Sequence, residues 1–572
     1  MNKRRRLLHI LLGLLPWALP LLAPAGASAA EAATSRIIVK WRDDAATGRA
    51  VHGTGPRLDS LARRANRTLD RGWNIGGGLS VIRLRERVAG RELDDLLATL
   101  RAAPEVEFAA ADERVKAHAY TPSDPLFLTD QWYLKDAYPA AIRAHEAWEI
   151  TRGGAGPEDS TIIVAVLDSG VRFDHPDLAG KLLPGWDFVS NPAVGNDGDG
   201  WDDDPSDPGD YITAEDLLDP EFKDGACGGG PDFDQPMESS WHGTRVAGLI
   251  AAASDNGVGI AGTGFHVKVL PVRVLGKCGG YVSDVIAGMY WAAGIAPPPP
   301  LLLSPLPPPN RTPARVINLS LGSDRPCTDE ASEIYRIAVR EIAARGTLVV
   351  ASAGNEGTAV GTPAGCPGVL GVAGVRQAGT KVGYSNLGPE VGIAAPAGNC
   401  INVLANEPCV FQLSTTTNLG TTVPGASGYS STTLQSTVGT SFSAPLVAGT
   451  AALMFAANPG LTPAQVIDMI RATARPFPAT SDSLPSPPVC QLPSVEPLQE
   501  LECICTTDVC GAGLLDAGAA VLAARGAPSG KAPSTGWQPG GGGADTPLTV
   551  LLLAGLLALR LHSLRRARRA SI

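Results

Sequence analysis

The chain has 572 residues, of which 44% are hydrophobic, and a formal net charge of -10. That length exceeds one ordinary domain, and the apolar share is ample for a large core. Lys3, Arg4, Arg5 and Arg6 open the chain, and Arg560, Arg565, Arg566, Arg568 and Arg569 close it. The middle is therefore more acidic than the total, which argues against binding nucleic acid through its phosphates.

Residues 1–30 read as a secretory signal, with a basic start, an apolar run from Leu7 and Ala27-Ser28-Ala29-Ala30 as a small-residue cleavage site. A membrane-anchoring helix is the alternative, and Pro16, Pro20 and Pro24 argue against it. Export favours disulfides among the ten cysteines, all of which lie between Cys227 and Cys510. A zinc site at Cys490, Cys503, Cys505 and Cys510 is the lesser alternative.

Residues 36–41, 79–84 and 106–111 have strand character, and 58–66 and 91–101 have helical character. Together they suit a small β-α-β-β-α-β unit of ferredoxin-like type, with three of its four strands placed. Loop-like residues 116–121 set its boundary, giving an accessory domain at 31–118.

The near-continuous apolar run Thr161-Ile162-Ile163-Val164-Ala165-Val166-Leu167 ends at Asp168-Ser169-Gly170. Such runs belong to strands buried on both faces of a parallel sheet. The pattern recurs at 315–320 and at 347–351, which leads into Ala353-Gly354-Asn355. Polar residues at the carboxyl ends of parallel strands are where α/β sheets place ligands. His242 opens a helical stretch in which Val246, Leu249, Ile250 and Ala253 share one face. Residues 196–210 form an acidic loop, and 296–313 form a proline- and leucine-rich excursion.

Gly439-Thr440-Ser441-Phe442-Ser443-Ala444-Pro445 puts a serine at the mouth of an apolar helix running through Ala451, Leu453 and Met454. Unpaired N–H groups and the positive dipole end at such a position can hold a negative oxygen, which acyl transfer creates on a carbonyl. Pro445 is expected in the first turn, where a missing N–H costs little. Taken alone, a capped helix packing on small residues explains the stretch equally well. Residues 526–546 then form a Gly/Pro/Ser linker, followed at 547–572 by an apolar run and a basic end. The apolar run is short against the roughly 20 residues of a spanning helix.

Four segments stand in the order Asp, His, Ser: Asp168-Ser169-Gly170, then Ser240-Trp241-His242-Gly243-Thr244, then Ala353-Gly354-Asn355, then the Ser441 turn. In that order the chain resembles the subtilases, the subtilisin-like serine peptidases, over roughly 131–524. Subtilisin is the reference case for this order and for an oxyanion asparagine. The pattern around Gly276-Lys277-Cys278-Gly279-Gly280-Tyr281 is similar to secreted subtilases of Gram-negative bacteria. The resemblance implies an α/β fold, a parallel sheet flanked by helices, in a peptidase domain at 119–525 preceded by the small α+β unit.

It also implies that Ser441 is the nucleophile, His242 its base and Asp168 the group that orients the imidazole. Asn355 and the backbone N–H of Ser441 would serve the oxyanion, while Gly354 allows close approach of substrate. Ser320-Leu321-Gly322 and Gly279-Gly280 would sandwich an extended peptide as an added strand. His175 also lies near Asp168, in a stretch that subtilases carry for structural reasons. No acidic residue stands out in a primary pocket, which favours apolar or aromatic substrate side chains there. Arg245, Phe442 and the 296–313 insertion depart from the family pattern.

Residues 31–118 would be an inhibitor-type prodomain removed autocatalytically. The Gly-rich, apolar and basic tail resembles GlyGly-type sorting signals read by a membrane sorting protease, with a permanent short anchor as the alternative. Gln131, Asp177 and Asp255 match calcium positions of many subtilases. The acidic loop adds Asp197, Asp199 and Asp202 as hard oxygen ligands for Ca2+, against the alternative of a solvated loop. Cys278 is expected to pair with Cys327, since both follow carboxyl ends of neighbouring strand segments, and Cys366 with Cys400. The resulting expectation is a secreted or envelope-associated, monomeric, calcium-stabilised serine endopeptidase acting on polypeptides. A non-catalytic binding scaffold would hydrolyse no unfolded protein, and an envelope maturation protease would show a narrow cleavage profile.

Overall fold

The computed structural model describes residues 34–42, 55–112, 120–154, 161–222, 235–295, 306–399, 410–430 and 437–527. The signal at 1–30 and the tail at 547–572 lie outside the described residues. The chain divides into two units, Met1–His118 and Ala119–Ile572.

The first unit runs β1 (Thr34–Trp41), α1 (Gly55–Ala65), β2 (Leu69–Gly76), β3 (Leu79–Val88), α2 (Gly90–Arg101) and β4 (Val106–Ala111). Its antiparallel sheet has the order β2-β3-β1-β4. Ile37, Val39, Leu61, Leu100 and Val106 form its core. The strand that the sequence conceals is β2. It lies at the sheet edge and buries only Leu69, while Trp73 and Ile75 are 48% and 52% exposed. Without a buried alternating face it lacks the period-two signal of a strand.

The second unit begins with the short helices α3 (Pro125–Thr129) and α4 (Ala144–Trp148), then β5 (Ile163–Asp168), β6 (Trp186–Asp187) and α5 (Pro192–Gly195). It continues through α6 (His242–Ala251), β7 (Lys268–Arg273), α7 (Val282–Ala292), β8 (Val316–Leu319), α8 (Glu333–Ala344) and β9 (Leu348–Ser352). After β10 (Val369–Val375) and β11 (Val391–Pro396) comes a hairpin, β12 (Thr416–Asn418) and β13 (Ser427–Tyr429). The helices α9 (Thr440–Ala457), α10 (Pro463–Ala472) and α11 (Ala517–Gly526) close the unit.

Seven parallel strands stand in the order β11-β10-β9-β8-β5-β7-β6, as expected of an α/β fold. β5, β8, β9, β10 and β11 are buried almost throughout, because helices cover them. α9 packs on α6, α11, β8 and β9. It is long and apolar enough to cross a membrane, but 83% of it is buried inside this unit, which makes it a core helix.

The cysteine pairing differs from expectation. Cys327 bonds Cys366, so neither Cys278–Cys327 nor Cys366–Cys400 forms. The chain after β8 runs beside the segment before β10: Ser323 N donates to Thr362 O at 2.8 Å, and Thr362 N to Arg325 O at 2.8 Å. That pairing carries residue 327 to residue 366. Cys278 is also disulfide-bonded, and Cys400 lies outside the described residues. Cys490–Cys503 and Cys505–Cys510 are disulfides as well, which consumes the four thiols of the zinc alternative. Replacing Cys327 and Cys366 together by serine is expected to remove about 2–4 kcal/mol of stability. Urea unfolding of the oxidised protein beside the double variant measures it.

Candidate active site

Asp168 ends β5 and is fully buried. Burying a carboxylate is costly unless donors answer its charge. His242 Nδ1 lies 2.8 Å from Asp168 Oδ1, and the same oxygen accepts Ser169 N–H at 2.8 Å. His242 is the first residue of α6, after Trp241 in the left-handed region. A Cβ on Gly243 would stand 2.1 Å from Gly170 O and 3.1 Å from Asp168 Cβ. Only glycine lets the start of α6 approach the end of β5 this closely. Burial pushes the His242 imidazole down, but the Asp168 charge and hydrogen bond outweigh it and the net direction is up. The His242 side chain remains 23% exposed, so the pair is open to a cleft on one side.

Ser441 is the second residue of α9, and its N–H has no acceptor among the described residues. Pro445 is not in the first turn as expected, but inside the helix. Four residues after Ser441, it withholds the N–H that the Ser441 carbonyl would otherwise accept. Ser320 supplies the replacement, its Oγ donating to Ser441 O at 2.6 Å. Ser441 Oγ in turn donates to Ser320 O at 3.3 Å. The His242 ring lies 5.3 Å, centroid to centroid, from the ring of Phe442, the neighbour of Ser441. For a bond to His242 the Ser441 hydroxyl would have to turn away from Ser320.

Asn355 follows β9. Its Oδ1 accepts from Thr440 N at 2.9 Å and from Thr440 Oγ1 at 3.0 Å. Fixing the oxygen in this way leaves Nδ2 to donate beside the start of α9. Gly354 has a φ of +111°, and a Cβ there would meet Asn386 Nδ2 at 2.3 Å. The close packing of this turn therefore requires glycine.

A cleft of about 440 Å³ includes His242, Gly279, Gly280, Ser320, Leu321 and Gly322 in its lining, which brings both expected substrate edges together. His175 is elsewhere: its Nε2 lies 2.9 Å from Gly428 O and its Nδ1 accepts Asp177 N–H at 3.2 Å, so both ring nitrogens are used structurally. Arg245 is buried along α6, with Nε donating to Thr417 Oγ1 at 3.3 Å.

Residues 159–498 match the subtilase family model of S8 peptidases. The chain belongs to the subtilase family. It is 34% identical over 450 residues to an extracellular protease of Xanthomonas campestris pv. campestris, covering 78% of this chain and 64% of that relative. It is 32% identical over 459 residues to the extracellular basic protease of Dichelobacter nodosus, covering 77% and 66%. The chain thus spans about two thirds of the length of these two relatives. Thermitase of Thermoactinomyces vulgaris is 31% identical over 357 residues, 62% of this chain and 92% of thermitase. Among solved structures, a protease of Pseudoalteromonas arctica is 36% identical with a TM-score of 0.56, covering 71% of this chain and all of that one.

The subtilase positions expected to hold calcium differ in their fit. Asp177 accepts Asn256 Nδ2 at 2.8 Å and Ile260 N–H at 2.9 Å, and Gln131 Oε1 accepts Ala261 N–H at 2.7 Å. Asp255 accepts from Ser123 N at 2.9 Å and from the Tyr120 hydroxyl. Each of these oxygens already accepts a hydrogen bond from a protein donor. In the acidic loop, Asp197 is held by the buried Arg273, which also binds Asp187. Burial raises Asp202, and the like charges of Asp199, Asp197 and Asp204 raise it further. A divalent cation would relieve that repulsion, so hard-oxygen chemistry fits here, with Asp197 shared with Arg273.

The same loop contains two residues that sequence reading missed. Asp207 is fully buried and accepts Ser169 Oγ at 2.8 Å, and Ser169 Oγ accepts Gly243 N–H at 3.1 Å. Burial, followed by the nearby Asp210, pushes Asp207 up to about 7. Asp210 receives Ser240 N–H and Oγ, both at 2.6 Å. Nothing in a run of seven aspartates marks which of them turn inward.

Two outcomes are expected. NMR titration in Ser441→Ala should place His242 above the ordinary histidine value of 6.5. Adding Asp168→Asn leaves burial dominant and should drop it below that value. Identical titrations would contradict the pairing. Because the folded value is raised, the pair's stabilisation is complete below the unfolded value and fades as pH rises through the folded one. Separately, Ser320→Ala orphans the Ser441 carbonyl and should cost about 1–3 kcal/mol in urea unfolding of the Ser441→Ala protein.

Proposed function

We propose that this chain is a secreted serine endopeptidase that cleaves peptide bonds through Asp168, His242 and Ser441. The observation that carries the reading is the 2.8 Å His242–Asp168 contact beside the start of α9, where Ser441 stands. His242 Nε2 takes the Ser441 proton as Oγ attacks the scissile carbonyl, while Asp168 fixes the tautomer and stabilises the imidazolium. Asn355 Nδ2 and the Ser441 N–H donate to the oxyanion. The imidazolium then protonates the leaving amine, the C–N bond breaks and an acyl-enzyme remains. Water, deprotonated by His242, hydrolyses that ester and regenerates the hydroxyl.

Residues 31–118 act in this reading as an inhibitor-type prodomain cut off by the enzyme itself, a role supported by their compact antiparallel sheet and separate core. Export is supported by the names of the two Gram-negative relatives, both extracellular proteases. Calcium is proposed at Asp199 and Asp202 with Asp197, where it would supply charge neutralisation and hold the loop against the sheet end.

Casein hydrolysis by the purified protein should vanish in Ser441→Ala. Asn355→Ala should lower turnover by about 10²–10³. Equal hydrolysis by wild type and Ser441→Ala would overturn the reading. A chelator should lower the unfolding temperature by roughly 5 °C. That shift should shrink in Asp202→Asn, and a shift unaltered by the substitution would remove the ion from this loop.

A further inference from the structure

The cleft has one acidic side chain among its described lining residues, Asp210. It stands in the part of the wall that also contains Ser240 and His242. The remaining lining is uncharged, with Leu275, Leu321 and Tyr335 among its larger side chains. Asp210 is half-buried. Its two oxygens are aimed by Ser240 N–H and Oγ, and Ser240 Oγ also accepts His242 N–H at 3.2 Å. The carboxylate is thus tied rigidly to the residue next but one before His242. Each of its oxygens accepts one hydrogen bond from Ser240 and retains capacity for another.

Lys277 is occupied with Asp216 at 2.7 Å. Arg245, buried along α6, offsets part of the Asp210 charge. Asp207 stands close enough for Asp210 to raise it, so a second carboxyl lies behind the first. His242 is the other titrating group in the wall, and it is neutral when it acts as base.

An extended peptide lying between residues 279–280 and 320–322 points alternate side chains to opposite sides. One of these sides is the wall that holds Ser240, His242 and Asp210, so a substrate side chain directed there lies against the carboxylate. We infer that Asp210 selects a cationic side chain, Lys or Arg, at that substrate position. This rests on the peptidase reading above.

The test uses fluorogenic tetrapeptides that carry Lys, Arg, Gln, Leu or Glu at one position, taken in turn through the positions before the scissile bond. At one position the kcat/KM ratio of Lys over Gln should be roughly two- to fivefold for the wild type, as for one partly exposed charge pair. It should decline as salt is added. Asp210→Asn should bring the ratio towards one, and Asp210→Lys should shift preference to the Glu peptide. Ratios cancel any loss of active enzyme in the variants. A Lys/Gln ratio near one at every position in the wild type, or a ratio unchanged in Asp210→Asn, overturns the inference while leaving the peptidase intact. Cleavage of none of the peptides and of no casein overturns the peptidase reading itself.

Discussion

A carboxylate at zero exposure is the constraint on which this structure turns. Asp168 sits at the end of the interior strand β5 with no contact with water, and its Oδ2 has no hydrogen-bond partner among the described residues. Its charge is answered at Oδ1 alone, by an imidazole and one backbone N–H. Bringing the imidazole within 2.8 Å requires α6 to begin almost against the strand end. The glycine at 243 and the left-handed Trp241 follow from that requirement. Asp207 adds a second brace, because Ser169 Oγ links it to the Gly243 N–H.

The start of α9 obeys a complementary constraint. A helix N-terminus leaves donors unused, and Pro445 additionally frees a carbonyl inside the first turns. Thr440 spends its N–H and hydroxyl on Asn355, Ser320 takes the Ser441 carbonyl, and the Ser441 N–H remains available. The two ends meet because β8 and β9 lie side by side in the sheet and carry Ser320 and Asn355 just beyond their last residues. Parallel order thus brings remote sequence positions together at the carboxyl ends of the strands, where α/β sheets place ligands.

Much of this was legible in sequence, for physical reasons. β5, β8 and β9 are buried on both faces and read as apolar runs, and the residues after them announce the site. β7 was concealed by Pro271, which breaks the usual rule for an interior strand. It is tolerated because β6 is only Trp186–Asp187 and pairs with Val272 and Arg273, leaving no partner on that side for residue 271. β10 is interrupted by Gly371 and Gly374, and β2 buries too little to alternate. In sequence the acidic loop is one class of residue, yet in the structure it divides three ways: Asp197 towards Arg273, Asp207 into the core and Asp210 into the cleft wall. Such differences are created by tertiary contacts and leave no periodic trace. The disulfide pairing failed likewise, because it depends on how 323–327 lies against 362–366.

In the proposed reaction, burial of Asp168 and the placement of His242 make one serine hydroxyl a nucleophile. Treatment with a fluorophosphonate, followed by peptide mass mapping, tests this most directly. A single adduct on Ser441 is expected, lost in His242→Ala while circular dichroism shows that variant to be folded. An adduct elsewhere, or undiminished labelling of Ser441 without His242, would contradict it.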